Sequence, residues 1–143
     1  MIPNFDEHGH LPIGGYWCHW EEFYDRFRTN KRRGELCDTL EKVLAIARGC
    51  GFVAVLVGGS FVTAKENPRD MDLTWITDPE VTKDSVKPEC RKLMDETGSE
   101  PEYGWSMLYL AINHNEVDIQ EWARKLGFCY KTLRDRGTLL LDL

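Results

Sequence analysis

A chain of 143 residues with 42% hydrophobic and 29% charged side chains has the size and balance of one ordinary globular domain, which excludes a fibrous or a disordered chain. Its net charge of −6 argues against non-specific coating of nucleic acid, which depends on neutralising phosphates with basic side chains. No apolar run approaches the roughly 20 residues that cross a bilayer.

The start, Met1-Ile2-Pro3-Asn4-Phe5-Asp6-Glu7, lacks the basic and apolar stretches of a secretory signal, so a cytoplasmic location is expected. Cys18, Cys37, Cys50, Cys90 and Cys129 contain no Cys-x-x-Cys pair, and in that compartment reduced thiols are expected. His8, His10, Cys18 and His19 match no standard zinc spacing.

In chain order, residues 1–16 are rich in Pro and Gly and read as an extended arm laid over the domain. Trp17, Trp20, Phe23, Tyr24 and Phe27 recur at helical spacing and predict a short amphipathic helix over 20–28. Its aromatic stripe docks on the core or, alternatively, stacks a base or binds a protein partner. A longer helix is expected over 31–48, with Leu36, Leu40, Val43, Leu44 and Ala47 on its apolar face and Gly49 and Gly51 ending it. Arg32 and Arg33 fall near its N-terminus, where the dipole disfavours cations. That conflict reads either as a solvated face or as a phosphate or partner contact.

Residues 52–57 and 73–76 read as buried strands, the second stopped by Thr77-Asp78-Pro79. A helix should start near Pro88, which suits a first helical position. Residues 98–104 form a loop, 105–112 a strand, and Asn113-His114-Asn115 its turn. Asp118-Ile119-Gln120-Glu121 reads as a capping box, with Asp118 as N-cap of a helix reaching about residue 126. Residues 138–143 close the chain as an apolar strand. The short link between the first two strands suits a hairpin-like pair, so the sheet is expected to be mixed or antiparallel, in a single α+β domain spanning 1–143.

The chemistry gathers in that link. An apolar strand enters the turn Gly58-Gly59-Ser60, and Asp70-Met71-Asp72 opens the next apolar run. Strand side chains i and i+2 share a face, so Asp70 and Asp72 point the same way and repel unless a cation lies between them. Hard oxygen donors suit Mg²⁺ or Mn²⁺, ions that bridge to substrate phosphates. The Gly58-Gly59 turn lets backbone approach a phosphate closely, and Ser60 can donate its hydroxyl. Lys65 and Arg69 are placed to neutralise a phosphate leaving group, or are solvated loop charges.

At these residues the chain resembles the DNA polymerase β-type nucleotidyltransferase superfamily: an apolar strand, Gly-Gly or Gly-Ser, a short loop, then Asp-x-Asp between apolar residues. A wider set also resembles a family of small bacterial and phage proteins regarded as minimal nucleotidyltransferase-like domains. That set comprises Ile2-Pro3-x-Phe5-x-Glu7-x-Gly9-x-Leu11-Pro12, Glu21-Glu22-Phe23, the Arg32-Arg33 helix, Gly59 to Lys65, Pro68-x-Asp70-x-Asp72 and a closing apolar-Asp-Leu strand.

The resemblance implies a short palm-like mixed sheet with helices on one side. It implies that Gly58, Gly59 and Ser60 hold phosphates, and that Asp70 and Asp72 bind Mg²⁺ or Mn²⁺. A third carboxylate on a neighbouring strand would complete the site. Asp118 is the first candidate, although it also reads as a helix cap; Asp142 is second and Glu116 third. The activity implied is transfer of a nucleoside monophosphate from a nucleoside triphosphate to an unknown acceptor. The alternatives are a catalytically inactive antitoxin or nucleotide sensor, and an interaction module that binds a protein through the aromatic N-terminal segment.

Overall fold

Strand β2 (Ala54–Gly58) carries no polar side chain, and the fold buries it on both faces. Val55 and Val57 face one layer, Ala54 and Leu56 the other, as a period of two requires. The computed structural model describes residues 1–69, 71–94, 106–111, 116–129 and 133–143. In it β2 is the central strand of a five-stranded mixed sheet. With β1 (Gly15–Cys18), β3 (Asp72–Thr77), β4 (Ser106–Ala111) and β7 (Thr138–Asp142), the order is β1-β7-β2-β3-β4. A separate short ladder joins β5 (Phe128–Cys129) to β6 (Arg134–Asp135).

The predicted hairpin-like pair is present: β2 and β3 run antiparallel, with Ala54 opposite Ile76 and Gly58 opposite Asp72. β2 is also antiparallel to β7, while the outer pairs β1–β7 and β3–β4 are parallel. The class is therefore α+β with a mixed sheet.

Helices α1 (Trp20–Phe27), α2 (Lys31–Gly49) and α3 (Pro88–Leu93) cover one face. Phe23, Phe27, Leu40, Leu44 and Leu93 pack there with Val55, Val57, Leu73, Trp75, Leu139 and Leu141. Helix α4 (Glu116–Leu126) covers the other, laying Ile119 and Ala123 on Ala54, Leu56, Ile76 and Leu140. The one-sided arrangement implied by the resemblance is thus corrected. The strands are apolar at both alternating sets of positions, and each set needs its own cover.

Helix starts follow local chemistry. Pro88 takes the first position of α3. Asn30 caps α2, its Oδ1 accepting the Arg33 N–H at 2.9 Å. In α1 the aromatic stripe docks on the core: Phe23 and Phe27 are buried, and both rings lie 5.7 Å from that of Phe61. Trp17 is not part of that stripe; it sits on β1 and is 36% exposed.

Four expectations need correcting. The arm does not simply lie over the domain, because Ile2 and Leu11 are buried and its end becomes edge strand β1. Helix α4 begins at Glu116, so Asp118 occupies the third helical position and is not the N-cap. There its carboxylate still meets the positive end of the helix dipole. Arg33 is not on a solvated face but buried. Cys50 and Cys90 form a disulfide, with Cα atoms 5.7 Å apart, tying the end of α2 to α3 across 40 positions of chain. Cys18 and Cys37 are buried free thiols. The predicted loop at 98–104 and turn at 113–115 lie outside the described residues. Among the described residues no helix is long and apolar enough to cross a membrane.

Candidate functional site

Strand β2 ends at a corner made possible by a missing side chain. Gly59 has φ 77° and ψ −165°, a combination open in practice only to glycine. A Cβ built there would stand 2.7 Å from Oδ2 of Asp72 and 3.1 Å from its Cγ. Asp72 opens β3 with an exposed carboxylate, directly across the ladder from Gly58. The glycine turn and one acidic side chain therefore occupy the same end of the sheet, in contact. Asp72 shares its face with Thr74 and Ile76, the face covered by α4, and the Leu126 carbonyl oxygen lies 3.8 Å from where a Gly58 Cβ would be. Asp70, its expected partner, lies outside the described residues.

Beyond Gly59 the chain enters a 3₁₀ turn, Ser60–Val62, which buries Phe61 and Val62. The Ser60 carbonyl accepts the Thr63 hydroxyl at 2.6 Å and the Thr63 N–H at 3.2 Å. The N-terminal arm closes over this segment: His10 bridges to Thr63, and the Ala64 N–H donates to the Gly9 carbonyl at 2.8 Å. Asp6 Oδ1 accepts from the N–H groups of His8 and His10, and the His10 bond in particular holds that carboxyl below its ordinary range. Burial, then the nearby Arg136, push the His10 imidazole below its usual value of 6.5, so it is neutral at pH 7.

The remainder of the loop is held by the start of α2. The Arg33 guanidinium, 3% exposed, donates to the carbonyls of Phe61 at 2.7 Å, Thr63 at 2.7 Å and Lys65 at 2.6 Å. Arg32 donates to the carbonyls of Pro68, at 3.2 Å, and Arg69. Asn30 Nδ2 donates to the Glu66 carbonyl at 2.6 Å. Burial lowers the Arg33 pKa, yet a guanidinium stays charged in a protein. Sequence reasoning does not bring these three residues to the corner. The signal for them is present in Arg32 and Arg33, cations at the helix end that disfavours them.

The other candidates are scattered. Lys65 and Arg69 are exposed. Lys65 lines a cleft of about 280 Å³ with Phe5, Arg26, Arg33 and Glu66, which neither Gly59 nor Asp72 lines. Asp118 lies on α4. In that helix Gln120 bonds both the N–H and the carbonyl of Gly15 on β1, while the C-terminal end reaches Gly58. Asp118 precedes Gln120 by two residues in that helix. Asp142 pairs opposite Ala54, four residues along β2 from the Gly58–Asp72 rung, or about 13 Å away. Asp142 is not brought to Asp72. Glu116 opens α4. Among the described residues no group of three His, Cys, Asp or Glu side chains is arranged to hold a metal.

No curated protein and no solved structure matches the chain. The model of a family of unknown function, DUF6932, matches residues 3–142, so the chain belongs to that family.

Proposed function

We propose that this chain is a metal-dependent nucleotidyltransferase-like protein with a minimal palm-like core, which takes a nucleoside triphosphate at the Gly58-Gly59-Ser60 corner. The observation that carries the reading is the Asp72 carboxylate standing in the space a Gly59 side chain would fill. A glycine turn, whose backbone can approach a phosphate closely, beside a hard oxygen donor suits a phosphate-bound divalent ion. The hard oxygen donors of Asp72 fit Mg²⁺ or Mn²⁺, with Asp72 and, from the Asp-x-Asp of the sequence, Asp70 as the residues that would hold the ion. A bound ion would supply Lewis-acid stabilisation of charge on the phosphorus oxygens. In the transfer an acceptor hydroxyl oxygen bonds to the α-phosphorus as the bond to the β-phosphate breaks. Pyrophosphate leaves, and the hydroxyl proton passes to a carboxylate or to solvent.

One observation favours a second reading, a nucleotide sensor without turnover. Among the described residues, strands β2 and β4, which flank β3, contain no Asp or Glu to serve as a third carboxylate. The test is turnover and binding of labelled ATP, CTP, GTP and UTP with Mn²⁺, in the natural chain and in Asp70→Asn and Asp72→Asn. Turnover lost in both variants supports the transferase. Binding lost in both, with no turnover in any form, supports the sensor. Equal signals in all three proteins eliminate both.

A further inference from the structure

We propose that Asn30, Arg32 and Arg33 form a positioning clamp for the Gly59–Asp72 corner, an inference that rests on reading that corner as a nucleotide site. The loop between Gly59 and Asp72 is the covalent link between the phosphate-facing turn and the acidic residues. A connecting loop at a surface satisfies its carbonyls with water. Here the carbonyls of Phe61, Thr63, Lys65, Glu66, Pro68 and Arg69 are all taken by side chains from the cap and first turn of α2.

The guanidinium fork is what makes this possible. Arg33 reaches three carbonyls at once, with its Cζ 4.9 Å from the Phe61 ring centroid and 5.8 Å from that of Phe27. A lysine ammonium could not span that set in one plane. Arg32 grips the carbonyls of Pro68 and Arg69, the last two before Asp70 in the sequence. Met71, the residue before β3, is fully buried. The local disadvantage of cations at the helix N-terminus is offset by these contacts. None of the three side chains is placed against substrate in this scheme. They act through the loop, as groups that orient the ligands of a metal site do.

The experiment uses the full chain with Mn²⁺ alone as probe, its binding followed by electron paramagnetic resonance, together with amide hydrogen exchange over residues 61–73. Arg32→Met removes the grip nearest Asp70 and, being partly exposed, leaves the fold intact, with the melting temperature within about 5 °C of the natural chain. Exchange at 67–73 should then rise and Mn²⁺ affinity fall about tenfold or more, the scale seen for outer-shell partners of metal ligands. Arg33→Lys keeps the charge without the fork and should show the same loss, which charge alone does not explain. If the natural chain takes up Mn²⁺ but Arg32→Met matches it in affinity, the clamp is overturned and the nucleotide reading survives. If the natural chain takes up no Mn²⁺, the nucleotide reading fails and takes with it any role for these residues at that site.

Discussion

The Asp72 carboxylate and Gly59 are in contact through an absent side chain: Oδ2 of Asp72 lies 2.7 Å from the point where a Gly59 Cβ would sit. The contact exists because β2 and β3 pair antiparallel with Gly58 opposite Asp72, which folds the turn back over the first residue of β3. Glycine is needed there twice, for its backbone angles and for the room it leaves.

Gly59→Ala should therefore cost about 2–3 kcal/mol, combining strain at φ 77°, ψ −165° with displacement of the carboxylate. Gly49→Ala is the control. That residue closes α2 with nothing within 4 Å of the point a methyl would occupy, and alanine there should gain up to about 1 kcal/mol from helix propensity. Urea unfolding of the two variants measures the contrast; equal effects would remove the account of the corner.

Thr138 stands beside Gly58, and its hydroxyl is buried without a hydrogen-bond partner among the described residues. Replacing that oxygen with a methyl of the same shape removes an unmet polar atom. Thr138→Val should raise stability by about 1 kcal/mol in chemical unfolding. A loss instead would mean that the hydroxyl is bonded in solution.

Cys90→Ser opens the bridge to Cys50. A cross-link between residues 40 positions apart restricts the unfolded chain by about 4 kcal/mol in a chain-entropy treatment. The variant should melt well below the oxidised chain and should no longer respond to a reducing agent, whereas the natural chain should lose stability on reduction. Calorimetry with and without reductant reads both.

Alkaline pH tests the two buried thiols. Burial pushes Cys37 from its ordinary 9.0 to about 11, and burial followed by Glu22 pushes Cys18 to about 12. Both shifts are upward, so the folded chain keeps its protons where the unfolded chain loses them. Their contribution is complete below pH 9 and is lost as pH rises through the window from 9 to 11 and 12. By about pH 10 the two thiols together should remove about 2–3 kcal/mol, and Cys37→Ala should halve the fall. A flat profile in urea midpoints between pH 8.5 and 10, both approximate settings, would contradict the burial of these side chains.

Much of the fold is legible in the sequence because it is written in local pattern. The apolar stripe of α2, the all-apolar run of β2, Pro88 at the head of α3 and the strand that ends at Asp142 each follow from neighbours within a few residues. The pairing of β2 with β3 follows from the shortness of their connection. Strand β1 escapes a sequence reading for the opposite reason. It is four residues long, and its partner, β7, lies at the other end of the chain, with Gly15 against Thr138.

For the candidate site the division is sharper. Gly58, Gly59, Ser60 and Asp72 are readable, because a glycine turn followed by an acidic strand start is a short-range signature whose chemistry is carried by residue type. Tertiary structure alone decided that Arg33 lies buried beneath the loop, that Cys50 reaches Cys90, and that Asp142 stays away from Asp72. Strand order, register and helix placement set those distances, and they arise from burying apolar surface across the whole chain, which no window of neighbouring residues contains.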